Sequence, residues 1–407
     1  MSDDKKPDIR FKDYSDDWEQ RKMGDTSEKV CVGFVGTCEK YYTDETGIPM
    51  YRTGNLNGLS LNKDDMKYVT RDFHQQNKKS QLKFGDILIA RHGDSGKAVN
   101  YESSEEANCL NIVIIRPDFK KCNYRFLTDC INSPRCQKHI KSLSAGSTQA
   151  VINTSEIEKL EVLLPESIDE QEKIAAYFEN LDHLITLHQR KYDKLQNLKK
   201  AMLEKMFPKN GCNVPEIRFK GFTDAWEQRK LGDVSESFSG GTPSVGNKRY
   251  YDGSIPFIRS AEINSESTEL FLTEEGLTNS SARMVSKGDI LYALYGATSG
   301  EVGRSRINGA INQAILAILP HDGYDSKFLM QWLRKSKQSI TDVYLQGGQG
   351  NLSGAIVKAL EVDFPSVIEQ RQIGNYFQSF DNLITLHQRE LEKLKNIKKA
   401  MLEKMFV

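Results

Sequence analysis

The sequence has two glycine-rich segments to compare with phosphate- or cofactor-binding loops, GGTPS at 240–244 and GATSG at 296–300, and neither fits. The first lacks the rest of a dinucleotide-binding pattern, and the second has no phosphate-binding lysine. The sequence contains no GxxxxGK[ST] phosphate loop and no [DNS]PP[YFW] tetrapeptide, the element that amino-methyltransferases place against a target base. Zinc patterns of the HExxH or HxE…CxxC kind are also missing. We therefore expect a binding protein with no catalytic or metal-binding residues.

The cysteines offer no better site. No two of the seven form a CxxC pair, and a chain of 407 residues needs no disulfide framework. We interpret them as scattered thiols and not as a metal site: Cys31, Cys38, Cys109, Cys122, Cys130, Cys136 and Cys212.

Length and composition predict a folded protein of two or more domains, with 38% hydrophobic and 28% charged residues. No apolar run approaches the roughly 18 residues of a membrane span, and the charged amino terminus predicts no secretory signal. We expect an intracellular, soluble protein. The 56 basic and 56 acidic residues balance, which argues mildly against nucleic-acid binding, although a basic face or a partner could supply the attraction.

An internal repeat organises the chain. Residues 7–25 align without a gap with 215–233 at 13 of 19 identical positions, and 181–207 align with 380–406 at 20 of 27. Between these blocks the halves diverge but share the tetrapeptide GDIL, at 85–88 and 288–291. The chain is a tandem duplication, and we expect one fold carrying different loops.

The diverged middles contain apolar runs bounded by Gly, Asp and Pro, which favour β-strands. These runs are DILIA, NIVIIRP, DILYALYG and AILAILP, and a helix is expected around Phe328 to Lys335. The fold class is therefore α+β, with two mixed α/β domains. The expected boundaries are 1–165 for the first domain, 166–210 for a central helix, 211–365 for the second domain and 366–407 for a C-terminal helix.

Each middle is followed by a strict seven-residue apolar repeat, which predicts a coiled-coil seam about 50 Å long. Because the halves are pseudo-equivalent, we expect the two helices to pair antiparallel about a pseudo-two-fold axis. The seam positions are Ile174, Phe178, Leu181, Ile185, His188, Tyr192, Leu195, Lys199, Met202 and Met206, then Ile373, Phe377, Phe380, Ile384, His387, Leu391, Leu394, Lys398, Met401 and Met405.

Three groups of residues in the repeated segments have competing roles. We interpret His188 and His387 as packed side chains in preference to functional ones, and Trp18 and Trp226 as core anchors in preference to base-stacking platforms. A third group of basic residues is expected to flank the seam or face away from it, either solvating the helix or binding a partner: Arg190, Lys191, Lys194, Lys199, Lys200, Lys205 and their counterparts.

Taken together, these segments resemble the specificity subunit of a type I restriction–modification system over essentially the whole chain. The residues that carry the resemblance are WEQRK followed by Met or Leu and GD, the segments PESIDEQEKIAAYFENLDHLI and PSVIEQRQIGNYFQSFDNLI, and KKAMLEKMF after each. The second half also has GGTPS…YYDGSIPF and GDILYALYGATSGEVG…NQA, whereas the first half lacks GxTPS and has RHGDSGK at 91–97.

The resemblance implies two target-recognition domains that read a bipartite, asymmetric DNA target with a nonspecific gap set by the helices. It implies no cofactor in this chain. Two modification subunits that methylate adenine with S-adenosylmethionine would dock on the conserved helices. Motor–nuclease restriction subunits would use ATP and Mg²⁺.

DNA-contacting residues are expected in the loops at these landmarks, since Arg, Lys, Asn and Gln read base edges and cations bind phosphates. For each single residue, the alternative is a solvated loop or turn role. In the first domain we select Arg91, His92, Ser95, Lys97, Ser147, Thr148 and Gln149. In the second we select Thr242, Ser244, Lys248, Arg249, Tyr250, Tyr295, Thr298, Arg304, Gln346, Gln349 and Asn351.

Two other functions compete with DNA recognition. An enzyme with its own methyltransferase or nuclease domain would methylate or cut DNA without partners, and the missing tetrapeptide argues against it. A structural coiled-coil scaffold with two adhesive ends would show no specific DNA affinity even with modification subunits present.

Overall fold

The computed structural model describes residues 5–56, 60–91, 96–144, 152–209, 211–345 and 351–406. Contacts divide the chain into two units. The first is Met1–Gln189 with Arg389–Val407, and the second is Arg190–Gln388. Each long helix contributes one half to each unit.

The first unit is built on apolar strands, of which DILIA is buried at every position and IVIIRP at all but one. Gly85 ends the turn before DILIA with a positive φ of 82°. The strands are β1 Glu19–Lys22, β2 Ser27–Val32, β3 Tyr42–Thr43, β4 Ile48–Tyr51, β5 Lys67–Val69, β6 Asp86–Ala90, β7 Ala98–Tyr101, β8 Asn108–Cys109, β9 Ile112–Pro117 and β10 Glu161–Leu164. The helices are α1 Arg71–Gln76, α2 Tyr124–Asn132, α3 Pro134–Ser144, α4 Thr154–Glu158 and α5 Ile168–Met206.

In the second unit the helix expected around Phe328 is much longer and runs from Ser326 to Leu345. The strands are β11 Glu227–Lys230, β12 Ser235–Ser239, β13 Tyr251–Ile258, β14 Leu270–Leu272, β15 Arg283–Val285, β16 Ile290–Ala293, β17 Val302–Arg304, β18 Gly309–Ile311, β19 Ile315–Pro320 and β20 Glu361–Phe364. The helices are α6 Leu231–Val234, α7 Glu274–Thr278, α8 Ser326–Leu345, α9 Gly354–Lys358 and α10 Val367–Lys404.

The two units have the same sheet architecture. An antiparallel sheet in the order β2-β9-β6-β7 in the first corresponds to β12-β19-β16-β17 in the second. Each unit also has a mixed four-stranded sheet, β3-β5-β4-β8 or β14-β13-β18-β15, and a two-stranded ribbon, β1-β10 or β11-β20. The four predicted strands are confirmed as β6, β9, β16 and β19, and the two middles share one fold as expected.

Antiparallel helix pairing is confirmed within each unit. In the first, the ring of Phe178 on α5 lies 5.7 Å from that of Phe406, which follows α10, and Lys398 on α10 bonds Asp182, one turn further along α5. In the second, Phe377 on α10 stacks on Phe207 at 6.1 Å, and Lys199 on α5 bonds Asp381 at 2.5 Å.

Lys199 and Lys398 occupy seam positions of the seven-residue repeat, as predicted, although Lys199 was also counted among the basic residues that flank the seam. Lys199, which we expected to flank the seam or face away, is only 12% exposed at the side chain, and so is its counterpart Lys398. That expectation was wrong for both lysines, because an aspartate of the opposite helix draws each ammonium into the interface. His188 and His387 are half-buried and both make contacts, in keeping with packed side chains.

Trp18 and Trp226 are buried core residues, as expected of anchors. Trp18 meets the edges of Phe126 and Phe406 at 5.7 and 6.2 Å, and Trp226 packs in the same way against Phe328 and Phe207.

Two charged pairs fasten the segment that precedes each domain to a long helix. Arg10 donates two hydrogen bonds to the carboxylate of Glu170, and Arg218 donates two to that of Glu369. Such bidentate pairs have a fixed geometry, so each preceding segment is held at the first turn of a long helix. Within the described part of the chain, every helix is too short or too polar to cross a bilayer.

Candidate nucleic-acid interface

The GGTPS loop of the second unit lies against the end of β18. A side chain at Gly240 would place its Cβ 1.8 Å from the carbonyl oxygen of Ile311, so only glycine fits. This close approach lets the Thr242 hydroxyl donate a 2.5 Å hydrogen bond to Oε1 of Gln313. Thr242 and Ser244 are both exposed.

A short 3₁₀ turn, Lys248–Tyr250, is tied to the same loop. The next residue, Tyr251, donates from its hydroxyl to the carbonyl of Pro243 at 2.7 Å, and burial raises the pKa of this phenol, which keeps it a donor. Thr273 holds the turn from the other side by donating to the carbonyl of Arg249. Lys248 and Arg249 are exposed and Tyr250 is half-buried, so two cations are presented beside GGTPS.

The loop after β16 joins the same region through backbone bonds. Leu294 donates to Ala314 at 2.8 Å and accepts from Leu352 at 3.0 Å, and Tyr295 forms an isolated bridge with Asn351. The structure thus brings together Thr242, Gln313, Tyr295 and Asn351, which we call the loop cluster.

Two residues selected from sequence make contacts that hold loops in place. The Thr298 hydroxyl lies 3.4 Å from the carbonyl of Tyr295 within its own loop. The Arg304 guanidinium donates to the carbonyl of Gly288 at 2.9 Å and is half-buried, so it supports the turn before β16.

Gln313 and Arg283 also lie in this region, and neither was selected from the sequence. Gln313 lies in the NQA landmark, from which no residue was selected, although glutamine is a base-reading side chain. Arg283 stacks on the ring of Phe238, 3.6 Å from its centroid, and is exposed on β15 opposite Ile311. No local signal marks it, since only sheet pairing brings it near the loop cluster.

In the first unit, Arg91 follows β6 at the position of Leu294. Its carbonyl accepts from Ile152, as that of Leu294 accepts from Leu352, and its Nε donates back to Ile152 at 3.3 Å. Lys97 is exposed directly before β7. Seven selected residues lie outside the described part of the chain: His92, Ser95, Ser147, Thr148, Gln149, Gln346 and Gln349.

The first unit has a counterpart of the GGTPS loop that lacks the motif. A Cβ on Gly33 would lie 2.4 Å from Sγ of Cys109, at the end of β8, just as Gly240 abuts β18. The 3₁₀ turn Glu39–Tyr41 follows, with exposed Lys40 in the place of Arg249. The sequence does contain a sign of this correspondence: KYY at 40–42 and RYY at 249–251 each stand shortly before an Ile-Pro pair.

Tyr42 supports this turn as Tyr251 does in the second unit. Burial, reinforced by a 3.2 Å contact with the Cys38 thiol, raises the pKa of Tyr42 to about 12. Both candidate interfaces therefore have a neutral, hydrogen-bonding tyrosine beside an exposed cation. Among the described residues, no group of three or more His, Cys, Asp or Glu side chains could hold a metal ion.

The sequence model of one family, described as the type I restriction modification DNA specificity domain, matches the chain twice, over residues 15–197 and 223–396. Together these matches cover most of both repeats.

Curated relatives carry related descriptions. A putative type I restriction enzyme MjaX specificity subunit of Methanocaldococcus jannaschii is 23% identical over 403 residues, covering 95% of this chain and 92% of the relative. The MjaIX specificity subunit of the same organism is 28% identical over 190 residues, which is 45% of this chain and 44% of the relative.

A solved structure has the same fold. The crystal structure of a type I restriction–modification S subunit from M. genitalium aligns with a TM-score of 0.67 at 17% identity and covers 99% of both chains. A structure described as addressing complex assembly and conformational transition of the type I system aligns at a TM-score of 0.51, with 16% identity and coverage of 95% and 96%. These structures show the fold. The double match of the family model shows that the chain belongs to the specificity subunits of type I restriction–modification systems, which recognise DNA and are not themselves enzymes.

Proposed function

We propose that the two units read the two halves of a bipartite, asymmetric DNA target and direct adenine methylation or cleavage by partner subunits. The observation that carries this proposal is a shared framework with different side chains at matching places. Gly240 is followed by GTPS and Gly33 by FVGT, yet both glycines abut the equivalent strand end. Different donors and acceptors on one scaffold would read different bases.

The loop cluster has the chemistry of a base reader. Gln313 and Asn351 offer paired amide donors and acceptors, and the neighbouring Thr242 bond orients the Gln313 amide. Exposed Lys248 and Arg249 nearby would neutralise phosphates and set the register on the duplex. The zero net charge of the chain favours weak binding alone and tight binding with partners.

Two modification subunits would dock on the long helices. Exposed leucines occur in pairs at equivalent places, Leu184 and Leu187 on α5 and Leu383 and Leu386 on α10. Both pairs lie within an identical stretch, LITLHQR, at 184–190 and 383–389. Solvent-facing leucines cost little alone but form contact sites when a partner helix covers them.

The partner subunits would catalyse the methylation and cleavage reactions. Modification subunits would bind S-adenosylmethionine, and restriction subunits would use ATP and Mg²⁺, so this chain would need no cofactor. Its place would be the cytoplasm of a bacterial or archaeal cell, bound to DNA.

The decisive experiment maps methylated adenines in cells that express this chain with its modification partner. Two short sequences separated by a fixed unread gap are expected. The experiment is repeated with a hybrid chain in which residues 234–360 of the second unit are replaced by those of a relative with a different target. Only one half of the methylated sequence should change. A continuous motif, or a change in both halves, would overturn the proposal.

The scaffold alternative makes the opposite prediction. Purified chain with modification subunits would then bind all duplexes alike, and the mapped adenines would share no sequence.

A further inference from the structure

A cavity of about 350 Å³ lies in the first unit between β7, α2 and the paired helices. Four carboxylates line it, together with two cations, so negative charge is in excess by two when all are ionised: Glu102, Asp129, Glu179 and Asp182 against Arg125 and Lys398. Such a lining repels phosphate and attracts a cation.

Existing ion pairs account for most of these charges. Arg125 bonds Glu102 at 2.7 Å and also pairs with Glu179. Lys398 bonds both oxygens of Asp182. Asp129 is left over, since no hydrogen bond or ion pair reaches its carboxylate from the described residues.

Asp129 is nevertheless buried, with 8% of its surface exposed. Burial raises the pKa of its carboxyl to about 8, against the opposing influence of Lys398. A buried carboxylate without a partner costs several kcal/mol, so such a group either holds a proton or meets a cation.

The second unit shows what fills the equivalent place. Phe126 and Phe328 make the same contacts with the anchoring tryptophans, so α2 aligns with α8, and Asp129 corresponds to Gln331 and Asn132 to Arg334. The second pair is independently supported, because Asn132 bonds the backbone of Ala98 and Arg334 that of Val302, the first residues of β7 and β17.

In the second unit the corresponding aspartate, Asp381, accepts hydrogen bonds from three side chains. Asp381, the counterpart of Asp182, accepts from Lys199 and from both Gln331 and Arg334, at 2.8 and 2.9 Å. The first unit has Asn132 in place of this arginine and the carboxylate of Asp129 in place of Gln331. We propose that the cavity beside Asp129 binds an organic cation with a guanidinium or primary ammonium group, in the position that Arg334 takes in the second unit.

The ligand chemistry follows from the arrangement. A planar guanidinium would donate to Asp129 and Asp182 together, and a short alkyl tail would lie over Ala98 and Ala175, which also line the cavity. Binding of a free cation at this site does not require the DNA target, whereas occupation by a side chain of a modification subunit rests on the proposed function.

The test is calorimetric titration of the full chain with n-butylguanidinium, with the neutral isostere n-butylurea as the matched ligand. A saturable site with a dissociation constant of about 0.1–1 mM is expected for a ligand of this size, and no binding of the urea. Asp129→Asn should weaken binding at least about tenfold. Asn132→Arg should abolish binding by supplying its own guanidinium, with thermal unfolding to confirm that this variant folds.

Glu158→Gln, an exposed acid elsewhere in the first unit, is the control and should leave binding unchanged. The absence of a saturable site in both the chain and its complex with modification subunits, equal binding by Asp129→Asn, or equal binding of the urea would each overturn the proposal.

The same titration on the complex distinguishes the two sources of the cation. Retained binding supports a free small molecule. Loss of binding on assembly, together with weaker assembly of Asp129→Asn, supports an arginine or lysine side chain of the modification subunit.

Discussion

Lys398 donates to both carboxylate oxygens of Asp182, at 2.6 and 2.7 Å. Lys199 and Asp381 repeat this pair in the second unit. Burial lowers the pKa of Lys199, and the attraction of Asp381 opposes that shift. A paired charge in a helix interface contributes little net stability, but removal of one partner leaves the other desolvated.

Lys398→Met should therefore destabilise the first unit by about 2–4 kcal/mol, because Asp182 would lose the ammonium that donates to both of its oxygens in the helix interface. Urea unfolding of the full chain measures the change. Lys399→Met, at the adjacent exposed position, should cost less than about 0.5 kcal/mol. Equal losses in the two variants would show that the ion pair has no such role.

Gln313→Ala should relax the second half-site and leave the first intact. A lost bidentate contact costs about 1–3 kcal/mol, or roughly 5- to 150-fold in preference at one base pair. Mapping of methylated adenines reports both halves in one experiment. Gln338→Ala on the exposed face of α8 is the matched control, and an unchanged second half-site in Gln313→Ala would remove this residue from the reader.

Lys40→Ala and Arg249→Ala should weaken binding to all duplexes alike, because a phosphate contact carries no base information. Each should lower the slope of log affinity against log salt by about 1. Titration of the assembled complex with target and nontarget DNA at several salt concentrations tests both points. Lys159→Ala, exposed after α4, should change neither quantity. A selective loss for target DNA alone would instead indicate base reading.

Much of the fold could be predicted because the chain repeats itself. The apolar runs predicted β6, β9, β16 and β19, and the seven-residue repeats predicted α5 and α10. The seven-residue repeat placed Lys199 and Lys398 on the seam, but their ion pairs could not be predicted, since the aspartate beside each lysine comes from the other helix.

The candidate site was predictable only where a motif survived. The GGTPS motif identified the loop that packs against Ile311. Gly33 packs against Cys109 in the same way, but none of the four residues after it matches the motif. Arg283 lies near the loop cluster through pairing of β15 with β18, a long-range relationship that local sequence does not encode.

The exposed leucines yield a prediction about stoichiometry. Leu184→Asp with Leu187→Asp should remove one modification subunit and leave the other, because Leu383 and Leu386 would form the separate, equivalent site that we propose. Native mass spectrometry of the assembled complex counts the subunits. Val343→Asp, an exposed apolar residue on α8, should leave two. Loss of both subunits, or of neither, would refute docking at these leucines.

The stability of the first unit should depend on Asp129 and pH in a defined direction. The pKa of its carboxyl rises from an ordinary 3.8 to about 8 on folding, so between these values the folded chain holds a proton that the unfolded chain releases. Stability must then fall as pH rises from about 4 to 8, at up to about 1.4 kcal/mol per pH unit.

The amide of Asp129→Asn does not titrate, so this variant should not lose stability between pH 4 and 8 through this position. The variant should match the unmodified chain near pH 4 and exceed it by about 2–4 kcal/mol at pH 9, with relaxation of the buried site reducing the full linkage value. Urea unfolding across this pH range, with Glu158→Gln as the exposed control, supplies the measurement. If the two chains lose stability in parallel as pH rises, Asp129 is already ionised at neutral pH and a cation from solvent or from the protein must compensate it.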